Sequence, residues 1–154
     1  NAVAHLARAA GGQGMVKGQA LDMHWTGRSD FKREDLDTIH INKTGALIAA
    51  SCVLGGLVAD ASESDGLRLE AFGRGLGLAF QIIDDLLDCE PGTGKSLGKD
   101  TNTVKLTYLS VMSHDEARRH AATLTENTLA LLDPWGSKSN TLKDLGRALL
   151  NRKI

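Results

Sequence analysis

Aromatic side chains are scarce. Phe, Trp and Tyr make up 4% of the 154 residues, so a core must be built mostly from Leu, Ala, Ile and Val. Charge is nearly balanced, with a formal net charge of −1, which argues for no nucleic-acid partner and no membrane-surface partner. The only cysteines, Cys52 and Cys89, sit inside segments of helical pattern. That usage suits a reducing, cytoplasmic setting better than a disulfide scaffold. No apolar run reaches the roughly 18 residues of a transmembrane segment, and no signal peptide is visible. No stretch alternates with period two, so no sheet is expected. His5, His24, His40, His114 and His120 lack metal-ligand spacing, no Ser/His/Asp or Cys/His arrangement stands out, and no internal repeat is found. What remains, 42% apolar residues in helical patterns, is enough for one all-α domain or part of a larger one. The chain opens at Asn1 without Met and already in helical register, so an N-terminal truncation is expected.

Residues 1–10 read as the end of a helix, with Val3, Leu6, Ala7 and Ala10 on one face. Residues 11–23 carry Gly11, Gly12, Gly14 and Gly18. Each would weaken a helix by about 1 kcal/mol relative to Ala, but would let another backbone or a ligand come close. Gln19 and Asp22 share a face there, which a plain surface turn of helix would also produce. Residues 26–30 form a loop by composition. A long helix is expected over 33–59, with Leu36, Ile39, Ala46, Leu47, Ala50, Leu54 and Leu57 as its apolar stripe. Lys43 lies on that stripe. It either snorkels to water or enters a polar pocket, where it would suit an anionic ligand.

After a polar linker over 61–66, a third helix is expected over 67–88, with Leu69, Phe72, Leu76, Ala79, Phe80, Ile83 and Leu87 inward. Gly73, Gly77, Gln81, Asp84 and Asp88 make a second stripe, small at one end and polar at the other. It reads either as a cavity wall or as close helix packing. Asp84 and Asp88 stack one turn apart with Gln81 on the same side, and Asp85 sits beside them. Three carboxylates at a helix C-terminus repel one another and face the unfavourable end of the helix dipole. Either water solvates them or a cation binds there. Carboxylates without His or Cys suit a hard ion such as Mg²⁺ shared with a substrate phosphate.

The loop over 90–103 contains Gly-Thr-Gly-Lys-Ser at 92–96. A nucleotide-binding P-loop needs Gly five places before Gly94, where this chain has Cys89, and needs a preceding strand rather than a helix. That reading is rejected. Lys95, Lys99 and Lys105 follow the aspartates, as a diphosphate held between metal and ammonium groups would require, or as a basic surface loop would present. A short apolar helix is expected over 104–112. Ser113 with Glu116 forms a capping box for a helix to about 132. Residues 133–136 end it, and Asn140 would cap a last helix carrying Leu142, Leu145 and Leu149.

These motifs, in order, resemble the C-terminal half of a trans-isoprenyl diphosphate synthase of the bacterial farnesyl or geranylgeranyl type. The residues that carry the likeness are Gly14-Met15-Val16-Lys17-Gly18-Gln19 with Asp22, Ile39-His40 with Lys43-Thr44-Gly45, Phe80 to Asp88, Thr93-Gly94-Lys95, Gly98-Lys99-Asp100 and Lys105. The resemblance implies an isoprenoid-synthase-type helical bundle around a central cavity, in a homodimer. It implies Mg²⁺-dependent condensation of an allylic diphosphate with isopentenyl diphosphate through an allylic cation. Asp84, Asp85 and Asp88 match the second aspartate-rich motif that holds the metal. Lys43, Lys95 and Lys105 match positions that hold the diphosphate, with Lys99 in the same basic loop. Lys43, Thr44 and Gln81 match groups lining the cation. The first aspartate-rich motif and the basic residues for isopentenyl diphosphate are absent from the sequence, so this piece alone is expected to be inactive. Val104 stands where the family usually has Gly. A non-catalytic partner subunit of a heteromeric prenyl synthase and a terpene cyclase of the same fold are the alternative readings.

Overall fold

A computed structural model describes residues 2–88 and 106–151, and the described residues contain helices and no strand. The order is α1 (Ala2–Ala10), α2 (Met15–Trp25), α3 (Arg33–His40), a π-helical segment (Ile41–Gly45), α4 (Ala46–Val58), α5 (Glu63–Asp88), a 3₁₀ turn (Tyr108–Ser110), α6 (His114–Ala130), a 3₁₀ stretch (Asp133–Ser139) and α7 (Asn140–Leu150). The all-α expectation holds.

α5 is the axis of the bundle. One core cluster on it joins Phe31, Leu36, Leu78, Ile82, Leu86, Tyr108 and Ala117, and a second joins Phe72, Leu76, Ala79, Leu129, Leu132 and Leu150. The sequence pattern placed one core stripe on this helix, beside the second stripe of glycines and polar residues. Neighbours on several sides bury Leu78, Ile82 and Leu86 as well, while Leu69, Phe80, Ile83 and Leu87 are only half-buried. α5 also starts earlier than expected. The Ser62 hydroxyl accepts the Asp65 N–H at 3.2 Å and bonds the Asp65 carboxylate at 2.8 Å, so the cap shortens the 61–66 linker.

The expected helix over 33–59 forms as one continuous run broken in register by the π segment. It buries Ala46, Ala49, Ala50, Val53 and Gly56, whereas Leu47 and Leu54 are half-buried and Leu57 is exposed. The reason is close approach. A Cβ on Gly77 would stand 2.6 Å from the Gly45 Cα, and one on Gly73 would stand 2.6 Å from the Ala49 N. The axes meet so closely that small residues fill the seam and Leu does not fit there. The glycine end of the second stripe is therefore helix packing. The run Arg33–Val58 is long and apolar enough to cross a membrane by length and composition. It packs lengthwise on α5 and carries the buried Asn42 and the half-buried Lys43, as a core helix does.

The capping box of α6 is present. Ser113 N–H donates to Glu116 at 2.8 Å, and Glu116 N–H donates to the Ser113 hydroxyl at 3.3 Å. Two other expectations are corrected. Among the described residues, 106–112 make only a 3₁₀ turn, because the Tyr108 N–H bonds a side chain on α5 instead of continuing a helix. Asn140 is the first helical residue of α7 rather than its cap. Ser139 holds the cap position and spends its hydroxyl on Leu132 O and Gly136 O. Leu145 is exposed, and Gly146 and Leu150 face inward.

Candidate functional site

The π segment presents Lys43 and Thr44. Such one-turn widenings of a helix recur at functional sites, because they redirect side chains out of the regular register. Asn42, nearly buried, donates from Nδ2 to Thr38 O at 2.7 Å at the entry to this turn. α2 lies directly on it. A Cβ on Gly18 would come within 2.5 Å of the Lys43 Cα and closer still to its N, so only glycine permits this approach. Asp22, one turn further along α2, meets Lys43 Nζ at 2.6 Å. The side chains of Lys43 and Asp22 are 35% and 26% exposed, so the pair is worth no more than about 1 kcal/mol, and its effect is chiefly orientation.

Thr44 donates its O–H to Gln81 Oε1 at 2.6 Å, which joins the π segment to α5. One turn on from Gln81, the half-buried Asp84 and Asp88 occupy the end of α5. Asp85, turned aside by about 100°, accepts the Tyr108 N–H on Oδ2 at 2.8 Å. Among the described residues no three His, Cys, Asp or Glu side chains converge to enclose a metal. The donor set still fits Mg²⁺, which takes one or two carboxylates and completes its shell with phosphate oxygens and water.

Two buried groups line the base of this region. His40 is 8% exposed, and neither of its ring nitrogens has a hydrogen-bond partner among the described residues. Burial pushes its pKa down to about 4; Asp22 and Asp37 oppose the shift and Lys43 adds to it. Tyr108 is fully buried, its ring centroid 5.6 Å from that of His40, and its O–H donates to Asp37 Oδ1 at 2.7 Å. Burial, then the bond to Asp37, raises the Tyr108 pKa far above its ordinary value, so it stays a phenol.

Of the expected site residues, Lys43, Thr44, Gln81, Asp84, Asp85 and Asp88 fall on two adjoining elements, the π segment and the end of α5. Lys95, Lys99 and Lys105 lie outside the described residues. Lys43 is held in a polar contact instead of snorkelling freely. Asp22, which by sequence could have been plain helix surface, is its partner, while Gln19 is exposed. Tyr108 and Asp37 were not anticipated. The signal was available: Tyr108 is the sole tyrosine of an aromatic-poor chain, in an apolar segment, and a buried phenol needs a partner.

The polyprenyl synthetase family profile matches residues 2–139, and the chain belongs to this family. It is 39% identical over 153 residues to the geranylgeranyl diphosphate synthase of Cyanophora paradoxa, covering 97% of this chain and 51% of that one. Among solved structures, an FPP/GFPP synthase from Zymomonas mobilis in its apo form superposes with a TM-score of 0.81 at 34% identity, covering 96% of this chain and 49% of that one. The geranyltransferase of Helicobacter pylori, complexed with magnesium and isoprenyl diphosphate, superposes at 0.74 with 28% identity, covering 97% of this chain and 50% of that one. The chain thus spans about half the length of the relatives it matches.

Proposed function

We propose that this chain is the C-terminal portion of a single polyprenyl synthase domain. In this reading the full-length protein is a trans-prenyltransferase that joins an allylic diphosphate to isopentenyl diphosphate, giving a farnesyl- or geranylgeranyl-type product. The observation that carries it is the joined set Asp22–Lys43, Thr44–Gln81 and Asp84, built on helices of a chain that belongs to the family.

Each residue has a role that its chemistry supports. Lys43 has three N–H donors; one lies on Asp22, and the others serve diphosphate oxygens. Thr44 gives its proton to Gln81, so the hydroxyl lone pairs face a developing allylic cation as fixed dipoles. Asp84 and Asp88 would hold Mg²⁺ jointly with the substrate phosphates. The bound ion offsets the charge of the departing diphosphate. The allylic C–O bond breaks, the isopentenyl double bond attacks the cation, and loss of a proton gives a chain five carbons longer. Lys95, Lys99 and Lys105 complete the diphosphate site in this reading.

We extend the proposal to a homodimer in the cytoplasm. Val3, Leu6 and Val58 stand exposed and offer apolar surface for association, and the cysteine usage suits a reducing compartment. Sedimentation of the full-length protein as a monomer at micromolar concentration would refute the dimer. The activity is tested with dimethylallyl or geranyl diphosphate, labelled isopentenyl diphosphate and Mg²⁺. The full-length protein should extend the allylic chain and the isolated 154-residue chain should not. Conversion of the allylic diphosphate with no isopentenyl diphosphate consumed would assign a terpene cyclase instead.

A further inference from the structure

His40 is the last residue of α3, and the π segment begins at the next position. Its side chain is 8% exposed, and among the described residues neither ring nitrogen meets a hydrogen-bond partner. A neutral imidazole carries one N–H donor and one lone pair, so both polar functions are buried unused. Such a group costs stability, and an apolar side chain of similar size would not. Native structures keep few of them, and each calls for an explanation. The surroundings of His40 supply one. The ring of Tyr108 lies against it, with centroids 5.6 Å apart, but the Tyr108 O–H is already committed to Asp37 Oδ1. Of the charges that face the imidazole, Asp22 acts on it most, followed by Lys43 and then Asp37. Asp22, on α2, is the carboxylate paired to Lys43 Nζ.

That ion pair sets a problem for anion binding. A diphosphate brought to Lys43 adds negative charge beside Asp22 and draws the ammonium toward itself. Asp22, with its side chain only 26% exposed, is then left with a weakened partner and little water. A second cation at this place would hold the carboxylate outright and release the lysine from it. An uncharged donor supports the carboxylate and leaves the lysine's charge in play. His40 is such a donor, because burial keeps the ring unprotonated. We infer that His40 is a positioning residue for Lys43: it donates a ring N–H to Asp22 when the lysine turns to a diphosphate, so that the ammonium is shared between carboxylate and anion. This rests on the reading of Lys43 as a diphosphate-binding group.

The test is a double-mutant cycle in the full-length protein at pH 7, pairing His40→Leu with Asp22→Asn. His40→Met runs beside His40→Leu, because its flexible chain fills irregular space where Leu crowds. His40→Asn and His40→Gln keep an amide N–H near one ring nitrogen or the other. Without ligand, the better-packed of the two apolar variants should melt at least as high as the parent. It should raise KM for the allylic diphosphate about tenfold, with kcat within about threefold, and Asn or Gln should restore KM. In the Asp22→Asn background the same substitution should change KM by less than about threefold. An unchanged KM in both apolar variants, or an equal tenfold loss with and without Asp22, would overturn the inference. The rise in melting temperature that inorganic diphosphate with Mg²⁺ gives the parent should shrink in the apolar variants and return with Asn or Gln. This readout needs no turnover, so it decides the part of His40 even where the parent elongates nothing and the proposed activity fails. A parent whose melting temperature diphosphate does not raise would overturn the inference together with the diphosphate reading of Lys43.

Discussion

Gly18→Ala probes whether the α2 approach sets up Lys43. Two effects compete. Alanine favours the helix by about 1 kcal/mol over glycine. Against this, the new methyl would stand 2.5 Å from the Lys43 Cα and 2.7 Å from its Cβ, with the Lys43 N closer still. Overpacking costs about 1–3 kcal/mol, and the upper part of that range applies because the obstacle is main chain in a packed helix and cannot rotate away. The net is a loss of up to about 2 kcal/mol, or about 2–8 °C in melting temperature. Gly55→Ala is the control. It lies in α4 with nothing within 4 Å of the added Cβ, so the propensity gain stands alone and the protein should melt about 2–4 °C higher. Thermal melts and KM for the allylic diphosphate would be measured on both variants of the full-length protein. Gly18→Ala should also raise KM, because α2 carries Asp22, which orients Lys43. A Gly18→Ala melting point that rises as in Gly55→Ala, with KM unchanged, would refute the reasoning.

Two further outcomes are expected. Lys43→Ala should weaken use of the allylic diphosphate by about ten- to a hundredfold without unfolding the protein, since charge-assisted bonds of about 1.5–3 kcal/mol are lost; kinetics that barely change would assign Lys43 to packing alone. His40 gives a pH signature. It is neutral in the folded state with its pKa near 4, and the unfolded chain takes up a proton below about pH 6.5. Its contribution is therefore fully present above pH 6.5 and is lost as pH falls toward 4, by up to about 3 kcal/mol. Melting followed from pH 7 to 5 should show this slope, and His40→Leu should flatten it; a flat profile in the unaltered protein would contradict the account.

The helices themselves were legible because apolar residues recur with helical period, and the Ser113–Glu116 cap because its chemistry is local. The faces of α4 and α5 were less so. A reading that ranks Leu above Ala picks Leu47 and Leu57, but the seam with α5 is narrow enough to need Ala49 and Gly45. The two stripes expected on α5 left out Leu78, Ile82 and Leu86, which neighbours on further sides also bury. The π turn has no compositional mark, since it arises from one widened backbone turn. Within the site, spacing brought Gln81, Asp84 and Asp88 to one side of a helix. It could not show that Thr44 meets Gln81 across 37 residues, or that Asp85 turns to Tyr108. Those contacts are made by the tertiary fold.

The most direct test of the central claim is steady-state elongation at saturating Mg²⁺ by the full-length protein and its Asp84→Ala, Asp85→Ala and Asp88→Ala variants. Asp84 shares a face with Gln81 on a half-buried turn, so its carboxylate should contribute most to charge stabilisation of the leaving diphosphate. A lost metal ligand removes several kcal/mol of that stabilisation, so Asp84→Ala should lower turnover by about a hundredfold or more, and more than either neighbour. The rise in melting temperature that Mg²⁺ and a diphosphate analogue give the parent should also shrink in this variant. Unchanged turnover in all three variants would contradict the assignment of this helix end as the metal and diphosphate site.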